Sequence, residues 1–124
     1  MVIDTCIFIE HLRAKDRTKS ILANLPTNNP IYLSVVTLFE LYSGSPTLEK
    51  KQDVAAVTED LTILPFDAAM AAKAGDIYRV LKKRNKLIGV ADIMIAATCL
   101  TIGQPILTSN KKHFKLVDDL KVFR

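Results

Sequence analysis

The sequence contains no tryptophan, two histidines, two cysteines, four glycines and five prolines in 124 residues, and each scarcity removes a class of protein. Two cysteines cannot form the multi-bridge framework of a small secreted scaffold. Cys6 and Cys99 both lie in apolar, patterned stretches and read as reduced core or near-core thiols. His11 and His113 form no H-x-x-x-H pair, and neither stands near a cysteine at zinc-ligand spacing, which disfavours structural or catalytic zinc. A G-x-S-x-G elbow is missing, as are a glycine-rich phosphate loop and a dinucleotide fingerprint. The opening Met1-Val2-Ile3-Asp4 has no basic region and carries a carboxylate, unlike a secretory signal. The longest nearly uncharged stretch, residues 87–103, contains Asp92 and falls short of a membrane span. A cytoplasmic protein with no membrane contact is the expectation.

The composition is that of a globular protein, 49% apolar and 24% charged. It supplies one core for a single domain over residues 1–124. The net charge of +4 admits a polyanionic partner without specifying one. Basic residues concentrate at Arg79, Lys82, Lys83, Arg84 and Lys86, and again at Lys111, Lys112 and Lys115. Either group serves equally as a solvated helix face.

Hydrophobic periodicity and turn chemistry divide the chain into alternating strands and helices. Val2-Ile3 is a short strand, and Thr5 to Arg13 a helix with Ile7, Phe8 and Leu12 inward. Lys19 to Leu25 is a second helical piece, closed by Pro26 and the loop Thr27-Asn28-Asn29-Pro30. Ile31 to Leu33 is a strand, followed by Ser34 as cap of a helix from Val35 through Ser43. Thr47 starts a helix towards Thr58, Leu61 to Leu64 is a strand, and Asp67 caps a long helix from Ala68 to about Lys83. A further helix runs from Ala91 to Ile102 and ends at Gly103. Pro105 to Thr108 is a strand, Lys111 to Phe114 a helical turn, and Leu120 to Val122 a last strand. This alternation predicts a three-layer α/β domain, a central parallel sheet flanked by helices.

Open parallel sheets bind ligands outside the carboxyl ends of their strands, so the polar residues placed there carry the functional question. Asp4 follows the first strand, where it also suits a helix cap. Glu40 is one carboxylate in the apolar run Leu38-Phe39-Glu40-Leu41-Tyr42. Its helical neighbours Val36, Thr37, Ser43 and Gly44 are mostly small, leaving room beside it, although a solvent-facing glutamate is the plainer explanation. Asp92 is the only charged residue between Leu87 and Gly103, on a helix apolar all round. That marks it as buried, with capping of its own helix as the rival explanation. An ionised carboxylate in such a place needs a partner or a metal. Three carboxylates at one site repel unless a cation compensates, and oxygen-only ligands select Mg²⁺ or Mn²⁺ over zinc.

Four segments then point to a family. They are residues 2–10 around Asp4, residues 34–44 around Glu40, Gly89-Val90-Ala91-Asp92-Ile93-Met94-Ile95-Ala96-Ala97-Thr98, and Pro105-Ile106-Leu107-Thr108-Ser109-Asn110-Lys111-Lys112-His113-Phe114. In order and separation they resemble the signature blocks of PIN domains, in particular the toxin subunits of VapBC toxin–antitoxin pairs, over nearly the whole chain. The resemblance implies a Mg²⁺- or Mn²⁺-dependent endoribonuclease, usually a homodimer, restrained by a cognate VapB-like antitoxin. It also implies that Asp4 and Asp92 are the principal metal ligands, that Glu40 is the third acid, and that Thr108 supports the cluster, with Thr5 beside it.

The chain departs from the family pattern at two positions. Cys6 stands where Asn or Ser is frequent, so a hydrogen bond orienting Asp4 is expected to be lost. Asn110 fills the fourth acidic position, keeping an oxygen but no charge. The mechanism implied is attack by a metal-activated water held by Glu40, with Lys82, Lys83, Arg84, Lys111 and Lys112 on the RNA backbone. Two other readings use the same residues. One is a housekeeping nuclease of RNA processing. The other is a non-catalytic Mg²⁺-binding interaction module, for which a phospho-receiver's paired acids, here Asp118-Asp119, lie at the wrong end of the chain.

Overall fold

The computed structural model describes residues 1–26 and 28–123; Thr27 of the expected loop lies outside them. Four short strands, β1 (Val2–Ile3), β2 (Tyr32–Ser34), β3 (Thr62–Leu64) and β4 (Ile106–Leu107), form one parallel sheet in the order β3-β2-β1-β4. Six α-helices accompany them among the described residues: α1 (Thr5–Arg13), α2 (Val35–Ser43), α3 (Leu48–Thr58), α4 (Ala68–Lys83), α5 (Val90–Ile102) and α6 (Lys111–Phe114). The three-layer α/β arrangement expected from the alternation is the one found.

Side-chain alternation along the strands divides the core in two. Val2 and Ile106 point into a cluster with Ile77, Leu81, Ile93, Ile95 and Phe114, which binds α4, α5 and α6 to one face. Ile3, Leu33 and Leu107 point the other way, onto Ile7, Phe8, Leu41 and Val54 of α1, α2 and α3. Because β1 is buried on both faces and lies between β2 and β4, the residue after it is placed at the middle of the sheet.

The chain leaves β1 towards β2 and β3 and later returns to add β4 on the other side. The crevice between the carboxyl ends of β1 and β4 is therefore the topological switch point, where open α/β sheets bind ligands. Ser34 ends β2 and accepts from the Val36 amide at 3.1 Å. Asp67 accepts from the Met70 amide at 2.9 Å, and Gly103, at φ +69°, closes α5 in the left-handed conformation. These caps are as expected, except that Thr47 precedes α3 as its cap rather than forming its first turn.

Two expected elements differ. Residues 19–25 form no continuous helix; two 3₁₀ turns, Arg17–Lys19 and Leu22–Asn24, stand in its place. Side chains have taken the backbone groups a helix would use. Glu10 accepts from the Ile21 amide at 2.9 Å, and the Asn24 amide donates to the Thr18 and Ser20 carbonyls at 2.9 and 2.8 Å. The last expected strand, residues 120–122, reduces to one parallel bridge between Ile106 and Val122. Elsewhere the differences are shifts of one or two residues: β2 includes Ser34, β3 begins at Thr62, α5 begins at Val90, and β4 is Ile106–Leu107 alone. No helix among the described residues is long and apolar enough to cross a membrane.

Candidate active site

Asp4 is 4% exposed at the switch point. Its Oδ1 accepts from the Thr5 amide at 2.8 Å, so it does cap α1. Its Oδ2 accepts from the Thr108 hydroxyl at 2.7 Å and from the Cys6 thiol at 3.3 Å. A cap alone needs one oxygen. Donors from α1 and from the turn after β4 hold the other, so the carboxylate is fixed in orientation as well as in place.

The expected loss of an orienting hydrogen bond at Cys6 is thereby corrected, since the thiol supplies one. Thr108, on the exit from β4, also accepts from the Asn110 amide at 2.9 Å, which folds the following turn back over the site.

Glu40 does not face solvent, as the plainer explanation held. It projects from α2 towards α1, where Thr5 donates to its Oε1 at 2.6 Å. The same Thr5 oxygen lies 3.1 Å from the hydroxyl of Thr37, a fully buried residue. Thr5 thus links the residue beside Asp4 to Glu40, which gives substance to its expected supporting role. A groove of about 460 Å³ opens beside Glu40, walled by Ile9, Leu12, Leu41 and Val54.

Asp92 lies in the first turn of α5, and its position corrects one expectation and decides another. The side chain is 26% exposed, half-buried rather than fully so, because it faces the crevice while the rest of its helix enters the core. It caps nothing: Gly89 is the N-cap and α5 has no side-chain cap bond. Partial burial, then the negative charges of Asp4 and Glu40, raise the Asp92 carboxyl above its ordinary value, opposed by the neighbouring His113. Asp4 and Glu40 are therefore close enough to oppose the charge of Asp92.

His113 was not anticipated. It comes from α6, half-exposed, with Nδ1 3.7 Å from Asp92 Oδ2 and 2.8 Å from the Asn110 side-chain nitrogen. The i, i+3 spacing of Asn110 and His113 was the available signal, since such pairs share a helix face. Asn110 turns its amide to His113 instead of to Asp4. Thr37, at i−3 from Glu40, carried the same kind of signal.

Among the described residues no three His, Cys, Asp or Glu side chains stand close enough together to hold a metal ion by themselves. A closed protein cage of the zinc type is thus excluded within them. The donor set suits a different ion. Mg²⁺ is commonly held by one or two carboxylates, keeps several waters and takes its remaining ligands from phosphate. Asp4 and Asp92 are two carboxylates that could serve in this way, and a cation would offset both the burial and the neighbouring charges that raise Asp92.

The basic residues separate. Arg84 is engaged by both oxygens of Asp118, at 3.0 Å each, in an exposed pair. Lys82 lies 5.8 Å above the Tyr78 ring. Lys83, Lys111 and Lys112 are exposed, the last two in the turn that follows Asn110. Cys6 and Cys99 are both free thiols.

The PIN domain model matches residues 1–120 of this chain. Ribonuclease VapC2 of Haemophilus influenzae is 35% identical over 125 residues, covering 97% of this chain and 93% of that protein. Ribonuclease VapC of Rickettsia bellii is 32% identical over 129 residues, covering 98% and 93%. Among solved structures, VapBC2 from Rickettsia felis bound to a DNA fragment from their promoter matches with a TM-score of 0.83 and 25% identity, covering 98% of this chain and 96% of that one.

Proposed function

The chain belongs to the PIN-domain family, and on that premise we propose that it is an endoribonuclease, the toxin of a toxin–antitoxin pair, working with a divalent ion at Asp4 and Asp92. Relatives named Ribonuclease VapC along nearly their full length support the activity. Solved neighbours that are VapBC pairs support a VapB-like antitoxin as the partner.

The observation that carries the site assignment is the crevice itself. A buried Asp4 is held through both oxygens, and an uncapping Asp92 stands near enough for its ionisation to be opposed by Asp4 and Glu40. Those residues would hold Mg²⁺ or Mn²⁺. The bound ion supplies positive charge against the scissile phosphate and makes water a competent nucleophile at neutral pH.

The protein's own groups account for the rest. Glu40, fixed by Thr5 through one oxygen, keeps its second oxygen to accept the proton of the attacking water. Thr108 keeps Asp4 aimed. Asn110 contributes no charge, so the acidic residues present suit one ion better than two. Lys83, Lys111 and Lys112 contact the RNA backbone, giving salt-sensitive binding; Lys82 belongs with them, whereas Arg84 is occupied by Asp118. The groove beside Glu40 leaves space for a single strand, whose backbone is open to the carboxylates.

The test is cleavage of a mixed RNA pool by antitoxin-free protein in Mg²⁺ or Mn²⁺, with EDTA and Asp92→Asn as controls. Cleavage lost in both controls is the expected result. Cleavage that survives Asp92→Asn would remove the proposed site.

A further inference from the structure

We propose that Cys6 is a positioning residue for Asp4, its thiol helping to fix the orientation of the carboxylate. The inference rests on the reading of Asp4 as a metal-holding carboxylate.

A cysteine in the first turn of a core helix is ordinarily a small apolar filler, and one side of Cys6 does pack against the α1–α3 core. Its sulfur faces elsewhere. The Ser109 hydroxyl donates to Sγ at 3.1 Å and the Ser109 amide at 3.4 Å, while Thr108 Oγ1 lies 3.5 Å away. Asp4 Oδ2 lies 3.3 Å away as the acceptor. Among the described residues, the hydrogen-bonding partners of the sulfur therefore belong to Asp4 or to the turn after β4.

The direction of the thiol proton follows from this arrangement. Ser109 directs two donors at the sulfur, so the single S–H has Asp4 as its acceptor. The result is a bridge from residue 109 through Cys6 to Asp4, joining the two sides of the crevice. Thr108 holds the same carboxylate oxygen from β4. With Oδ1 held by the Thr5 amide, the two donors on Oδ2 narrow the carboxylate's remaining motion, and loss of one loosens that end. Outer partners of metal ligands act in this way, and their loss typically weakens metal binding about 10–100-fold.

A thiol bonds more weakly than a hydroxyl or amide, so the lower end of that range applies. Replacing Cys6 by alanine keeps the helix and most of the apolar contact but removes the donor. Serine restores a donor in nearly the same place.

The experiment is calorimetric titration of Mn²⁺ into metal-free wild type, Cys6→Ala, Cys6→Ser and Asp92→Asn, with helix content checked by circular dichroism. RNA cleavage is then measured against Mn²⁺ concentration. Cys6→Ala should weaken Mn²⁺ binding by about tenfold, Cys6→Ser should recover most of the loss, and saturating Mn²⁺ should return the cleavage rate of Cys6→Ala to near wild type. Equal Mn²⁺ affinity in wild type and Cys6→Ala would overturn the proposal. So would Cys6→Ser as weak as Cys6→Ala, which would assign the residue to packing alone. Wild-type protein showing no Mn²⁺ binding that Asp92→Asn abolishes would overturn the metal-site reading itself, and this inference with it.

Discussion

Replacing Thr108 by valine removes one hydroxyl from the centre of the site while nearly preserving its volume. Thr108 is 2% exposed, and its Oγ1 makes two bonds, donating to Asp4 Oδ2 at 2.7 Å and accepting from the Asn110 amide at 2.9 Å. A hydrogen bond to a charged group contributes about 1.5–3 kcal/mol, and burying the oxygen against a methyl instead worsens its desolvation. Asp4 Oδ2 keeps the Cys6 thiol, and the Asn110 amide lies near enough to the surface to find water, so the net loss should be about 2 kcal/mol.

Urea unfolding in EDTA reads this directly. With a slope of about 1–3 kcal/mol per molar, the midpoint should fall by about 1 M with the slope unchanged. Because Thr108 and Cys6 donate to the same oxygen, Thr108→Val and Cys6→Ala should be non-additive in a double-mutant cycle. An unfolding free energy within about 0.5 kcal/mol of wild type, the range of an ordinary surface change, would refute the reasoning. Asp4 would then be held by its helix cap and not by the crevice.

Other consequences follow from the same geometry. Burial, with the charges of Asp4 and Glu40, raises the Asp92 carboxyl, so the folded state holds that proton more tightly than the unfolded chain does. The associated stability is full below the ordinary value of 3.8 and is lost as pH rises through the higher folded value. Asp92→Asn should therefore raise the melting temperature of the metal-free protein at pH 7, with the gain shrinking towards pH 4, and should abolish stabilisation by added Mg²⁺; a lower melting temperature at pH 7 would contradict this. Thr5→Val removes the 2.6 Å bond to Glu40 and should reduce kcat by about tenfold, a fraction of what a positioned base contributes, while Thr5→Ser stays near wild type in steady-state cleavage. In the native protein a thiol reagent should titrate one cysteine. Cys6 is half-buried, whereas Cys99 is fully buried with its thiol pushed up to about 12 by burial and by the Asp4 charge, so it should react only on unfolding.

The parts of this account legible in the sequence were those set by local chemistry. Capping residues and apolar periodicity located α1, α2 and α4 to within a residue or two, because each of these helices carries its own cap and buried face, and α5 was located by its apolar run and the closing Gly103. The 17–24 segment was not legible. Its backbone groups are taken by Glu10 and by its own Asn24, while His11 holds the Ser20 hydroxyl, and only the folded chain brings Glu10 and His11 to it.

At the site, the isolation of Asp92 in an apolar helix and the place of Asp4 after β1 were visible. What joins them was not. The Thr108 bond to Asp4 spans 104 residues and the Thr5 bond to Glu40 spans 35, so both depend on the strand order. Cys6 shows the limit of pattern alone. A departure from a family's usual residue read as a lost bond, and the three-dimensional neighbours made it a bond of a different kind.

The measurement that tests the central claim most directly is the chemistry of the RNA ends. A defined single-stranded RNA cleaved by the protein in Mn²⁺ should yield a linear terminal phosphate with no 2′,3′-cyclic phosphate, and replacing the 2′-hydroxyl at the cleaved position with hydrogen should leave cleavage intact. That is the outcome of water attacking at a site built from Asp4, Glu40 and Asp92. A 2′,3′-cyclic phosphate product, with cleavage lost on the 2′-deoxy substrate, would make the RNA's own hydroxyl the nucleophile and contradict the role assigned to these carboxylates.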